Sequence, residues 1–275
     1  MISINTNYGG LYASNAASAS QRTLDTAMER LSTGMRINYA KDDAAGQAIS
    51  TRLTAEVQGL EMASRNAADA QSMIDTADGA LGETHNLLLR MRELAVQSAN
   101  GTMIQSDRDA LDAEYQALEA EITRIDTNTS WAGITLFDGA AKTFQVGTKA
   151  GGANYLEHTI GDMAPGTIID QISGADADIL TQAKAQSTIT EVDEAIGRVS
   201  AERGKLGAVS NRLSSTMSNL DQVAVNLSAS QGRIQDADFA AETSNLAKGQ
   251  ILQQAATAML AQANASKQNV LALVR

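Results

Sequence analysis

The sequence predicts a mainly α protein: a long antiparallel, coiled-coil-like helical bundle with a small β-hairpin region, whose terminal helices pair as a separate segment. Three observations predict it. Apolar residues recur every seven positions in two stretches, one in each half of the 275-residue chain. There is a single proline, Pro165, in an alanine-rich chain, so long helices are favoured and rarely interrupted. The two ends are apolar yet almost free of charge, unlike the stretches between them.

Residues 1–33 are helix-compatible, with apolar Leu11, Leu24, Met28 and Leu31, and Gly34 is placed to end that helix. The stretch 34–43 forms a joint. A long helix follows from about 44 to 99, opened by Asp42 and Asp43 and closed by Asn100-Gly101. Its apolar row is Leu53, Leu60, Ala67, Ile74, Leu81, Leu88 and Ala95. A strict seven-residue repeat keeps one seam buried by supercoiling the helix to the left, and at 1.5 Å per residue this rod is roughly 80 Å long. Ser106 and Asp109 stand at capping-box spacing before a second helix, about 106–126, whose stripe is Leu111, Tyr115, Leu118, Ile122 and Ile125. A loop then carries Trp131 and Phe137, read as plugs at the end of a bundle. Between 140 and 186 the pattern changes: 142–146 alternates like a strand, 147–152 reads as a turn, and 155–160 as the return strand. The last rod, ending near 235, repeats every seven residues through Val192, Val199, Leu206, Leu213, Leu220, Leu227 and Ile234, flanked by Ile189, Ile196, Val209 and Val223. Arg203 interrupts that flank, its stem expected to pack and its charge to face outward. Two such rows invite antiparallel pairing of the halves.

The C-terminal segment offers Leu246, Ile251, Leu252, Met259, Leu260, Val270 and Leu271, and from 241 onward its only charges are Glu242, Lys248, Lys267 and Arg275. A helix so poor in charge depends on packing for its stability, so both ends are expected to fold fully only against a partner surface.

Other classes are poorly supported. A net charge of −11 without a basic run argues against nucleic acid. The absence of cysteine removes disulfides and thiolate chemistry. The N-terminus lacks the pattern of a Sec-type signal, and no apolar run reaches membrane-spanning length. The two histidines, His85 and His158, form no metalloprotease motif, and no phosphate loop or nucleophile elbow is present. No catalytic residue, metal site or cofactor is therefore expected.

Four segments carry a family resemblance: Leu31-Ser-Thr-Gly-Met-Arg-Ile-Asn-Tyr-Ala-Lys41-Asp-Asp-Ala-Ala-Gly-Gln-Ala-Ile49; Arg90-Met-Arg-Glu-Leu-Ala-Val-Gln-Ser-Ala-Asn100; Arg233-Ile-Gln-Asp-Ala-Asp-Phe239; and the C-terminal run of Gln250-Ile-Leu-Gln-Gln-Ala255, Leu260-Ala-Gln-Ala-Asn264 and Gln268-Asn-Val-Leu-Ala-Leu-Val-Arg275. Together they resemble bacterial flagellin across roughly 1–139 and 186–275. The resemblance implies a structural, non-enzymatic subunit that is exported without a cleaved signal and polymerises into the flagellar filament for swimming. It implies an inner-core helix and joint (1–43), rod helices and loop (44–139), a short variable hairpin (140–186), a rod helix (187–235) and an inner-core helix (236–275). The apolar residues of the two ends would pack the filament's inner core, and the seven-residue rows would pack the rods. Expected partners are other copies of the chain, the export apparatus, a flagellin-specific chaperone, the filament cap and hook-junction proteins, with neither nucleic acid nor membrane among them. Flagellins recognised by the vertebrate toll-like receptor use an Arg, a Leu and a Glu that correspond here to Arg90, Leu94 and Glu114. The middle is too short for large outer domains. Lys267 stands where many members have Pro, and Trp131 where Phe is common. The alternatives are a hook–filament junction protein and a flagellin-like surface adhesin. The adhesin would need a polar, aromatic-lined pocket, toward which the middle offers Phe144, Tyr155 and His158.

Overall fold

A computed structural model describes residues 6–149, 151, 154–159 and 178–273, with side chains as far as 266. Val270 and Leu271 therefore lie outside the described side chains, and Pro165 outside the described residues. Within these limits the chain forms α1 (Tyr8–Thr33), α2 (Ala44–Ser98), α3 (Gln105–Asn128), β1 (Ser130–Trp131), β2 (Ile134–Thr135), β3 (Ala141–Gln145), β4 (Tyr155–Thr159), α4 (Gln182–Gln235) and α5 (Phe239–Leu273). They group into two compact units: Met1–Val57 with Val225–Arg275, and Gln58–Ala224.

In the second unit, α2 and α4 run antiparallel. Polar pairs mark the register: Ser64 with Asp221, Gln71 with Ser210, Asp78 with Arg203, and Arg92 with Asp193. The seven-residue rows lie between the two helices. Ile74, Leu81, Leu88, Val192, Val199, Leu206 and Leu213 are fully buried, and Leu60 and Leu220 nearly so. Each such side chain contributes about 1.5–3 kcal/mol by leaving water. A second buried row completes each seam at alternating steps of three and four. On α2 it is Ala63, Ala70, Ala77, Thr84, Met91 and Ser98; on α4 it is Thr188, Ala195, Glu202 and Val209. The flank expected at Ile189 and Ile196 is only half-buried, and Val223 is exposed. Arg203 is not free: its guanidinium forks onto both Asp78 carboxylate oxygens at 2.8 and 3.2 Å.

α2 opens where Asp43 Oδ1 accepts the Gly46 N–H at 2.8 Å. It closes through Arg108, whose guanidinium donates to the carbonyls of Ser98, Asn100 and Met103, each at 3.0 Å. α3 begins two residues earlier than a Ser106–Asp109 capping box would place it. Ile104 is the N-cap, and Asp107 reaches back to its N–H at 3.4 Å. Ser106 is thus inside the helix, where its hydroxyl cannot cap. α3 contributes Tyr115 and Ile122 to the core, while Phe137 is buried and Trp131 half-buried against it. β1 and β2 are joined by Ala132 and Gly133, both at positive φ (50° and 84°), as a two-residue hairpin turn requires. β3 and β4 pair antiparallel in the expected hairpin, with Lys142 opposite His158 and Phe144 opposite Leu156.

In the first unit, α1 and α5 pair antiparallel. Asn7 bonds Asn264 (3.2 Å), Gln21 bonds Gln253 (2.6 Å), and Arg30 pairs with buried Glu242 (3.2 Å). Their seam is built from small residues: Gly10, Ala13, Ala27, Gly249 and Ala256, with Leu24 beside them. A Cβ on Gly249 would meet Leu24 Cβ at 3.4 Å, an ordinary van der Waals contact, so the two helices pack closely here. Gly34 ends α1 at φ 72°.

Candidate functional site

A seam of Ala and Gly has a consequence for the larger side chains of the same two helices. Few of them fit into it, so most face outward. Leu11 (57% exposed), Met28 (54%), Ile251 (66%) and Met259 (53%) are left open, with Leu252, Tyr8 and Tyr12 also exposed. Leu31, Leu246 and Leu260 are half-buried, and only Leu24 is buried. α1 and α5 thus present much uncovered apolar surface with few charges to solvate it, as surfaces that mark protein association do.

At the inner end of this pair, the joint 34–43 is stitched to the break between α4 and α5. The Arg36 N–H donates to the Gln235 carbonyl (2.6 Å), the Arg36 guanidinium to the Ile234 carbonyl (2.7 Å), and the Ala237 N–H to the Gly34 carbonyl (2.9 Å). Ser50 donates to the Gln235 side chain at 2.6 Å, and Ile37 is buried beneath. Two sequence motifs some two hundred residues apart therefore form one structure. Leu53, Leu227 and Ile234, the outer members of the seven-residue rows, are half-buried in this unit.

In the second unit, Arg90 Nε and Nη2 both reach Glu114 Oε1 (2.9 and 2.8 Å), while Nη1 reaches Glu93 (3.0 Å). These hydrogen bonds, first that to Glu114, raise the guanidinium pKa further. Arg90 and Glu114 are exposed, but Leu94 is 0% exposed and belongs to the core. Of the three residues named for receptor contact, the folded unit thus presents Arg90 and Glu114 at its surface and Leu94 in its interior.

Among the described residues no three His, Cys, Asp or Glu side chains are placed to hold a metal. The His85 Nδ1 and His158 Nε2 atoms are buried without hydrogen-bond partners. Burial also raises the Tyr115 hydroxyl pKa, as do the neighbouring Glu119, Glu191 and Asp112. No described helix is long and apolar enough to cross a membrane.

Residues 4–142 match the bacterial flagellin N-terminal helical region, and residues 189–274 the bacterial flagellin C-terminal helical region. The chain belongs to the flagellin family. It is 45% identical over 249 residues to the flagellin of Halalkalibacterium halodurans, covering 90% of this chain and 91% of that one. It is 41% identical to the Bacillus subtilis flagellin, covering 99% of each. Alignment with flagellin B of Vibrio cholerae takes 373 positions against the 275 residues here, consistent with a short-form flagellin. Among solved structures, Bacillus cereus flagellin matches with a TM-score of 0.50 at 32% identity, over 61% of this chain and 94% of that one. A putative flagellar hook-associated protein from Vibrio parahaemolyticus matches at 0.62 but 15% identity, over 71% of this chain and all of that one, which shows a shared fold alone. As a flagellin the chain is a structural subunit that self-assembles into the extracellular filament used for motility.

Proposed function

We propose that α1 and α5 form the polymerising surface of this flagellin, with Leu11, Leu24, Met28, Leu31, Leu246, Ile251, Leu252, Met259, Leu260, Val270 and Leu271 packing the filament's inner core. The observation that carries this reading is the uncovered apolar surface left by the small-residue seam. Burying it between copies is favourable by about 25 cal/mol per Å², and a head-to-tail interface that does not close builds a helical polymer. In the same reading, the rod rows serve as the stiff frame and no step is catalytic. Before assembly the same surface needs cover, which fits passage through the flagellar export apparatus with a flagellin-specific chaperone, then addition between hook-junction and cap proteins.

Ile251→Asp in the full-length chain tests the proposal. Ile251 is exposed, so the monomer's stability should change by less than about 0.5 kcal/mol. Seeded polymerisation, followed by sedimentation and negative-stain microscopy, should be abolished. Normal filaments from this variant would place the interface elsewhere.

We also propose that the exposed Arg90–Glu114 pair is the part of this chain available to a vertebrate toll-like receptor, with Leu94 supporting it from the core. Arg90→Ala should lower the signal of soluble monomer in a receptor reporter assay, and an unchanged signal would remove the proposal.

A further inference from the structure

The single tryptophan of the chain is incompletely used by the fold. Trp131 and Phe144 pack against the core of the second unit, yet both are only half covered. Their open sides line a cleft of about 420 Å³ between α2, the β1–β2 turn and β3, within the size range of small-molecule sites. Met73 contributes apolar surface, and polar groups line the same cleft. Asn66 donates its amide to the Gln145 carbonyl at 3.2 Å, which fixes the side chain and leaves its own oxygen as an acceptor. The Lys142 ammonium lies 2.8 Å from both carboxylate oxygens of Asp138, so its charge is compensated. Asp69, also on α2, makes no hydrogen bond or ion pair with the described residues. The uncompensated charge of the cleft is therefore one carboxylate.

We propose that this cleft binds a pyranose sugar, neutral or bearing an amine. A pyranose ring has one face of C–H groups, which packs on an aromatic ring, and a rim of hydroxyls, which needs fixed acceptors and donors. Trp131 and Phe144 supply the first; Asn66 and Asp69 supply the second. The Asp69 carboxylate attracts an amino sugar and repels a uronic acid. Of the side chains that the middle of the sequence offers for a polar, aromatic-lined pocket, Phe144 lines this cleft, whereas Tyr155 and His158 do not; Trp131 takes their place. Individually weak sites repeated along a filament act together, because each further contact is effectively intramolecular.

Calorimetric titration of the full-length monomer tests this with three β-linked disaccharides: of glucosamine, of glucose, and of glucuronate. The first two should bind saturably, the glucosamine disaccharide roughly two- to fivefold tighter, as one exposed ion pair allows. The glucuronate disaccharide should bind weakest. Asp69→Asn should erase the amine preference and keep the glucose disaccharide bound. Trp131→Leu should abolish binding of both with the circular dichroism of the helices unchanged; should that variant lose helicity, Asp69→Asn alone decides. No saturable binding of any sugar, tighter binding of the glucuronate disaccharide, or an amine preference that survives Asp69→Asn would overturn the proposal.

Discussion

Leu94 and Arg90 stand one helical turn apart in the same motif but act in different ways. Leu94 has no exposed surface and lies in the core of the second unit, whereas Arg90 spends its guanidinium on Glu93 and Glu114 at the surface. Leu94→Ala should therefore lower stability by about 2–5 kcal/mol in a denaturant titration, and Arg90→Ala far less, because an exposed ion pair is screened by water. A receptor signal lost on Leu94→Ala alone would report damage to the fold, not a lost contact. His158 is a second residue whose surroundings decide its behaviour. Burial lowers its pKa, and although Glu202 on α4 opposes this, Lys205 and Arg212 on α4 add to it. Lys142 stands opposite it on β3. Since the folded chain takes up this proton less readily than the unfolded one, the unfolded state binds more protons just below pH 6.5. Stability should be full above about pH 6.5 and fall as pH drops from there toward the lowered folded value. Comparing denaturant midpoints of the wild type and His158→Gln across this window checks it: the slope should be smaller in the variant, and identical slopes would show that His158 is not its source.

The elements were legible to different depths. The rows through Leu81 and Leu206 are regular and apolar, so the long helices and their pairing partner could be read directly, although α4 begins at Gln182, ahead of the 187 that its row suggests. The second row of each seam could not. Thr84 and Ser98 on α2, and Thr188 and Glu202 on α4, are polar residues in buried seam positions, and sequence pattern assigns such residues to the surface. Their burial is made acceptable by partners: Thr84 bonds the Ala80 carbonyl and Glu202 meets Lys205 along their own helices, while Ser98 reaches the Ile179 carbonyl and Thr188 the Asp178 carbonyl outside theirs, which no helical pattern shows. Arg108 was unreadable too, because the carbonyls it caps lie at the end of α2 and in the loop after it, outside its own helix. The Trp131 cleft joins α2 to β3 across some seventy residues, which no local pattern encodes. The helices also carry slack. Gly79 on α2 and Gly204 on α4 have nothing within 4 Å of where a Cβ would sit, and both have ordinary helical backbones. Alanine at either position should raise monomer stability by up to about 1 kcal/mol. Gly34, at φ 72°, should respond oppositely, with Gly34→Ala costing about 1–2 kcal/mol. Thermal or denaturant midpoints measure all three; a destabilising Gly79→Ala would mean that the glycine serves backbone flexibility in the helix itself.

At the scale of the molecule, the two units are built from different materials. The second holds a continuous core with Leu, Ile, Val, Met, Tyr and Phe side chains fully or nearly fully buried, while the first closes mainly on alanine and glycine. Buried apolar area sets most of the stability difference between such packings, and local opening is easiest where it is least. In monomers, the amides of α1 and α5 should therefore exchange with solvent much faster than those of α2 between Ile74 and Ala95 or of α4 between Val192 and Leu213. This is the form in which the expectation of partner-dependent ends can be measured on the folded chain. Polymerisation should then slow exchange in α1 and α5 far more than in the second unit's core, because the exposed Leu11, Met28, Ile251 and Met259 gain the cover they lack. Hydrogen exchange read by mass spectrometry on monomer and filament separates the outcomes. If α1 and α5 were already protected in the monomer as strongly as the core of the second unit, the small-residue seam would suffice by itself, and assembly could not draw its driving force from completing that fold.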